Sequence, residues 1–499
     1  MKTPNTLVRL VSAAAFAAIL AALVALPAAA QVDLTRLVWI GDSEGAGFSA
    51  NCLTKRVQVD SPGAVIARAN GVDYQQPIVN DPGIGGCMVL TSLAPSFGAE
   101  PSTGTPANLA LPRPYNNLSV GGCAIHDMLT ATTGANARPG TCASTIDLVL
   151  RNSVFGLGSM VDQAIALNPT FVILANFGND YLGAVLSGTV VDGVTVTPLS
   201  SFTADTNAAL AKLAAKQPKG IVTGVGNLTN FPFTTTLPPF LTSGGKLVLD
   251  PTGKPIPLLG PKGCGTAPAC PIPANTIVTL NAAGYLPFGY GIPCAVAPTL
   301  PKCNNPLPAS AIDASHPGCL IYAADAALIT QRIADYNAAI KAAAAANGYK
   351  YYDINDWLVR AKAGFDYGGA TLSSAFLTGG MASYDGFHQT PIGYALLADD
   401  IIKFINRSFS GANLKEPDLS TYLLAGGTAG GLSGPYTGGP YAWAPLNDAE
   451  KVMAIEQIFT LDFASKLASF IGPHRAAVTA GPAEPVQRHE RADRMDPLP

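Results

Sequence analysis

The sequence predicts an α/β fold: a parallel sheet with helices packed on both of its faces. Short runs rich in apolar and β-forming residues, at 37–40, 171–175, 221–225 and 349–354, read as buried strands, and segments of helical period lie between them at 161–167, 205–216 and 323–346. Strands and helices that take turns along a chain form parallel sheets joined by crossover helices. In such sheets ligands sit outside the carboxyl ends of the strands, so the residues just after each strand are where chemistry is expected.

The chain opens with Lys2 and Arg9, an apolar, alanine-rich run over 10–26, and Pro27-Ala28-Ala29-Ala30. This is a secretory signal-peptide layout with cleavage expected after Ala30, and the run is short for a bilayer span. The first cysteine is Cys52, so none stands at the cleavage point to carry a lipid. A secreted or periplasmic location is expected, with no stable membrane span once the leader is gone. The core domain is expected over 31–409. It holds an irregular stretch at 78–117 and, at about 227–319, a Pro-, Gly- and Cys-rich segment far longer than the usual connection of about five residues. That segment reads as an inserted lid or subdomain. Residues 410–473 read as a Gly/Thr/Pro-rich linker leading to an amphipathic helix over 448–471, and 474–499 as a disordered tail.

Charge and cysteine usage narrow the function classes. The formal net charge is −3, charged residues make up 13%, and no Lys/Arg-rich stripe occurs, which argues against nucleic acid as a partner. An oxidising compartment would let nine cysteines form four bridges with one thiol over, and close spacing favours Cys264 with Cys270, Cys294 with Cys303, and Cys123 with Cys142. No cysteine or histidine doublet has zinc spacing, so a structural metal is not expected.

Three groups of residues carry chemistry. Gly41-Asp42-Ser43-Glu44-Gly45 places a serine directly after a buried strand, where a turn presents its hydroxyl at the top of the sheet. A Gly-x-Ser-x-Gly match alone describes a tight turn as well as a nucleophile. Asp385-Gly386-Phe387-His388 comes just before Thr390-Pro391, a cap and first position for a helix over 392–404. On one short loop the carboxylate can reach one imidazole nitrogen, fix the tautomer, and stabilise the cation formed when the other nitrogen takes the serine proton. Donors for an oxyanion, each worth about 3 kcal/mol in a preorganised site, come from Gly121-Gly122 and from Gly178-Asn179-Asp180 after the strand at 171–175.

In that order Ser43, Gly122, Asn179 and His388 resemble the four blocks of the SGNH (Gly-Asp-Ser-Leu type) hydrolase family. The resemblance implies a three-layer flavodoxin-like sheet with the insert and a C-terminal helical appendage added. It implies Ser43 as nucleophile, His388 with Asp385 as its base, and an oxyanion hole made by the N–H groups of Ser43 and Gly122 with the Asn179 amide. Gly121 is the less expected donor. The reaction implied is hydrolysis of a carboxylic ester through an acyl-serine, without metal or organic cofactor. Two positions depart from the family: Glu44 stands where its name has leucine, and Phe177 where its asparagine block has glycine.

The alternatives are an α/β-hydrolase and a non-catalytic secreted binding module on the same fold. In an α/β-hydrolase the serine comes after several strands and the acid and histidine lie on separate loops; here the serine comes early and acid and base share one loop. A barrel-anchored passenger is disfavoured because the chain beyond Arg407 reads as a single helix. In the insert, Phe231, Phe233, Phe240, Leu241, Tyr285, Leu286, Phe288 and Tyr290 would favour lipid-like acyl or aryl small-molecule esters over acetylated sugars, unless they only form a subdomain core. His126 reads as structural or pocket-lining, His316 has no ligand partners in sight, and Asp42 and Asp180 read as turn-forming residues.

Overall fold

The computed structural model describes residues 32–92, 96–243, 245–309, 318–367 and 370–424. The expected leader, the helix at 448–471, the tail and His316 lie outside the described residues. Four strands, β1 (Leu37–Gly41), β2 (Phe171–Ala175), β3 (Lys219–Thr223) and β4 (Lys350–Tyr352), form a parallel sheet in that order. In register, Leu37 pairs with Phe171, Ile173 with Ile221, and Lys350 with Ile221. On the free side of β1 the extended segment 116–120 runs alongside it: Trp39 N–H donates to Asn116 O (2.9 Å), Leu118 N–H to Trp39 O (2.8 Å) and Val120 N–H to Gly41 O (3.0 Å).

Every residue of β1 and β2 is buried, which is why these runs are apolar on both faces. Alternate side chains enter two different cores. Val38, Ile40, Val172, Leu174 and Val222 pack against α1 (Ile125–Thr130), α2 (Thr141–Leu150), α3 (Met160–Ala166), α4 (Asn179–Ser187), α5 (Leu199–Ala214) and α6 (Ala323–Ala346). Leu37, Trp39, Phe171, Ile173 and Ile221 pack against Pro62–Ala69, Ile354–Ala363 and α7 (Pro391–Ser408). The period-two alternation of the strands therefore sorts the helices onto opposite faces of the sheet.

Helix positions reflect local chemistry. α6 spans the expected residues and buries Ile329, Ile333, Tyr336 and Ile340, one stripe of an otherwise alanine-rich surface. α7 begins with Pro391 at its first position, and Thr390 Oγ1 accepts from Gly393 N–H (3.3 Å). β3 starts two residues before the expected 221 because Lys219 and Gly220 pair with Phe171 and Val172 although their own sequence is not apolar. The stretch at 78–117 contains a hairpin, Met88–Ser92 with Ser96–Ala99, that its sequence does not announce. Residues 410–424, grouped with the linker on composition, fold back onto the core, where Leu419 and Tyr422 are buried beside Pro62–Ala69.

The segment read as an insert contributes to a separate buried cluster of Leu258, Ile272, Val278, Leu307, Cys319 and Leu320, against which Leu241, Tyr285, Leu286 and Tyr290 pack. It rejoins the main chain by pairing Ile277–Val278 with Leu320–Ile321. The three expected disulfides are present, together with Cys52–Cys87, whose longer separation gives no spacing cue. Cys319, outside these bridges, is wholly buried in the separate cluster. Among the described residues no helix is long and apolar enough to cross a membrane.

Candidate active site

β1 delivers the serine. At Gly41 an added Cβ would lie 2.8 Å from Ala175 O, so a side chain would force the two strand ends apart. Asp42 caps a single helical turn, Ser43–Ala46: one carboxylate oxygen accepts from Glu44 N–H (3.2 Å) and the other from Phe177 N–H (2.8 Å). One buried carboxylate thus ties the serine turn to the loop after β2. From the other side Asn117 Nδ2 donates to Gly45 O (2.7 Å). Ser43, half-buried, takes the first helical position, where an N–H has no acceptor within the helix.

The loop before α7 carries the expected base, His388. His388 Nδ1 lies 2.9 Å from Asp385 Oδ2, and Asp385 is fully buried. Four further donors converge on that carboxylate: Asn51 N–H (3.0 Å), Ser383 Oγ–H (3.0 Å), Phe387 N–H (2.9 Å) and His388 N–H (2.9 Å). Burial alone would raise the Asp385 pKa, but the charge of His388 and these bonds overcome it and hold the carboxyl well below the usual range. Burial pulls His388 the other way, yet the charge and hydrogen bond of Asp385, with smaller contributions from Glu44 and Asp42, leave it raised. The carboxylate therefore fixes the proton on Nδ1, and Nε2 is the nitrogen that can accept another.

The residues expected to hold an oxyanion line the same cleft as the serine. A Cβ built on Gly121 would sit 3.5 Å from Ser43 Cβ and 3.2 Å from Thr141 Cγ2, so glycine there leaves the space open. Gly122 has φ +78°, a left-handed conformation that favours glycine. Asn179 is the first residue of α4; its Nδ2 donates to Cys123 O (3.1 Å), which orients the amide and leaves its second N–H for another acceptor. Cys123 is itself bridged to Cys142, next to Thr141.

One cleft, about 650 Å³ counted out to its open mouth, is lined by Ser43, Gly121, Gly122, Asn179 and His388. The structure brings every sequence-assigned site residue there except Asp385, which stands behind His388. Its remaining walls are largely apolar, with Phe48 (ring 5.0 Å from the His388 imidazole), Phe177, Phe231 and Phe387 among them. Of the insert's aromatic residues singled out in the sequence, Phe231 reaches the cleft and Phe233 backs Phe387, while Tyr285 and Tyr290 pack against the separate cluster.

Several contributors escape a sequence reading. Ala50 and Asn51 adopt φ +48° and +69°, which turns the Asn51 N–H onto Asp385; an asparagine in a left-handed turn is the available signal. Ser383 joins them by accepting from Ala50 N–H (3.1 Å) while donating to Asp385. His126 is exposed and bonds Asp205 (3.0 Å) rather than its neighbour Asp127, which caps Ala124 N–H (2.9 Å). Asp180 does more than form a turn: fully buried, it accepts from Ile125 N–H (3.1 Å) and Asn176 Nδ2 (2.6 Å).

Glu44, next to the serine, is buried, and its Oε2 has no hydrogen-bond partner among the described residues. Burial pushes its pKa up to about 8, against the pull of His388. A carboxyl raised in the folded state stabilises the fold below its unfolded pKa and loses that contribution as pH rises through the folded value. Relative to Glu44→Gln, wild-type stability is therefore expected to fall by on the order of 3 kcal/mol between pH 5 and pH 9. Urea midpoints at the two pH values check this; parallel curves for both proteins would show Glu44 ionised throughout.

Comparison of the chain with family models, curated proteins and solved structures finds no match.

Proposed function

We propose that this chain is a secreted serine ester hydrolase of the SGNH type. Ser43 Oγ attacks the carbonyl carbon of a carboxylic ester as His388 Nε2 takes its proton. The tetrahedral oxyanion accepts from the Ser43 N–H, the Gly122 N–H and the Asn179 amide. Collapse expels the alcohol, which receives the proton from His388, and leaves an acyl-serine. Water then repeats the sequence and releases the acid. No cofactor enters any step.

The observation that carries this reading is the Asp385–His388 pair, locked by five donors, opening onto the same cleft as Ser43 and Asn179. The order of segment 116–120, β1, β2, β3 and β4 supports a flavodoxin-like arrangement, in which the nucleophile comes after the first strand. An α/β-hydrolase would place it deeper in the strand order. Four disulfides support export to an oxidising compartment.

Wild-type protein is expected to hydrolyse nitrophenyl butyrate, and Asn179→Ala to lower kcat by about 100- to 1,000-fold with a much smaller change in KM, because the amide acts on charge that develops only in the transition state. Absence of wild-type turnover on any ester would reject the reading. Equal rates in the two proteins would reject the role of Asn179.

A further inference from the structure

The loop that carries the base also carries an aromatic residue of the cleft, and the insert is docked on it. Phe387, between Asp385 and His388 in sequence, stacks on Phe233 of the insert with ring centroids 4.4 Å apart and planes at 26°. Phe231, also of the insert, lies 6.0 Å from Phe387 and lines the cleft beside it. A backbone bond joins the same parts: Phe233 N–H donates to Gly386 O (3.0 Å). Gly386 has φ +74°, and a Cβ there would meet Leu280 Cδ1 at 2.8 Å, so the contact with the insert is close and requires glycine. Leu182 and Val185 of α4, the helix that starts with Asn179, line the cleft as well.

The polar side chains of the cleft are few: Tyr181 is committed to Gly226 O (2.6 Å), and Glu44 and Thr141 stand beside the residues of the proposed chemistry. Ser43, Asn179 and His388 belong to the proposed chemistry, and Asp42 is held by two backbone N–H groups. Among the described residues, none that lines the cleft is lysine or arginine. A phosphate or carboxylate on the substrate would therefore be desolvated without a lysine or arginine to pair it and beside the Glu44 carboxyl, and sugar hydroxyls would meet mostly aromatic and aliphatic side chains in place of partners. We propose that Phe231 and Phe387, backed by Phe233, form a specificity-determining wall that selects uncharged esters with an apolar arm. This rests on the ester-hydrolase reading above and names its substrate class. It also gives the insert a function: most of it stabilises its own core, and one edge shapes the substrate site through the loop that holds His388.

The test uses the full chain with nitrophenyl esters from acetate to octanoate, an ester series of butyrate with alcohols of increasing length, and nitrophenyl hemisuccinate as the charged probe. Wild type is expected to prefer the longer arm over the shortest by more than about tenfold in one of the two series, and to disfavour the hemisuccinate relative to butyrate by more than about tenfold. Phe231→Ala should erase at least about tenfold of the length preference while keeping acetate turnover within about threefold. Phe387→Ala should do the same to the preference, and Phe387→Leu, which keeps bulk beside His388, should restore much of it. A uniform loss on all esters in both alanine variants, or a wild type indifferent to arm length in both series, would overturn the wall and leave ester hydrolysis standing. A wild type inactive on every ester would overturn both.

Discussion

Ser43→Ala is expected to lower kcat/KM for a nitrophenyl ester by at least about a thousandfold, the scale seen when a triad serine is removed. The loss should fall on chemistry and not on folding, since alanine suits the first turn of a helix and Ser43 is only half-buried in the cleft wall. Circular dichroism and the thermal midpoint should match wild type to within a few degrees, a shift of about 1 kcal/mol or less. Activity above about a tenth of wild type in a purified variant would mean that another nucleophile is at work.

Asp385→Asn is expected to cost about 10⁴ in kcat and to weaken the fold as well. Five donors point at the two oxygens of this buried carboxylate. An asparagine offers one oxygen and turns an NH2 toward donors, so a buried bond is lost, the imidazole tautomer is no longer fixed, and the imidazolium loses its counter-charge. The stability cost is about 2–4 kcal/mol at neutral pH. Its pH dependence has a defined sign. The Asp385 pKa is depressed in the folded protein, so its contribution is present above the unfolded value and is lost as pH falls, and the gap between wild type and variant should narrow on acidification. Urea denaturation at pH 7 and pH 3 measures that gap. A variant as stable as wild type at pH 7 would show that the convergence of donors on this carboxylate is energetically idle.

The fold and the site are legible in the sequence to different depths. The strands at 37–40 and 171–175 stand out because both faces are buried, which makes them apolar at every position. β3 reads as starting late because Lys219 and Gly220 belong to it through pairing alone. Ser43, Asn179 and His388 can be found because each comes just after a strand or just before a capped helix, where local sequence dictates geometry. The supports of Asp385 cannot be found that way. Asn51 lies more than 330 residues from the carboxylate it bonds, and only the fold brings them together. Likewise the insert's composition announces a subdomain, but nothing local tells that Phe231 faces the cleft while Tyr285 packs against the separate cluster.

The most direct measurement is peptide mass mapping of the full chain after reaction with a fluorophosphonate. A single stoichiometric adduct on Ser43, strongly slowed in His388→Ala, is the predicted result. An adduct on another residue, or none on wild-type protein that is folded by circular dichroism, would contradict the account.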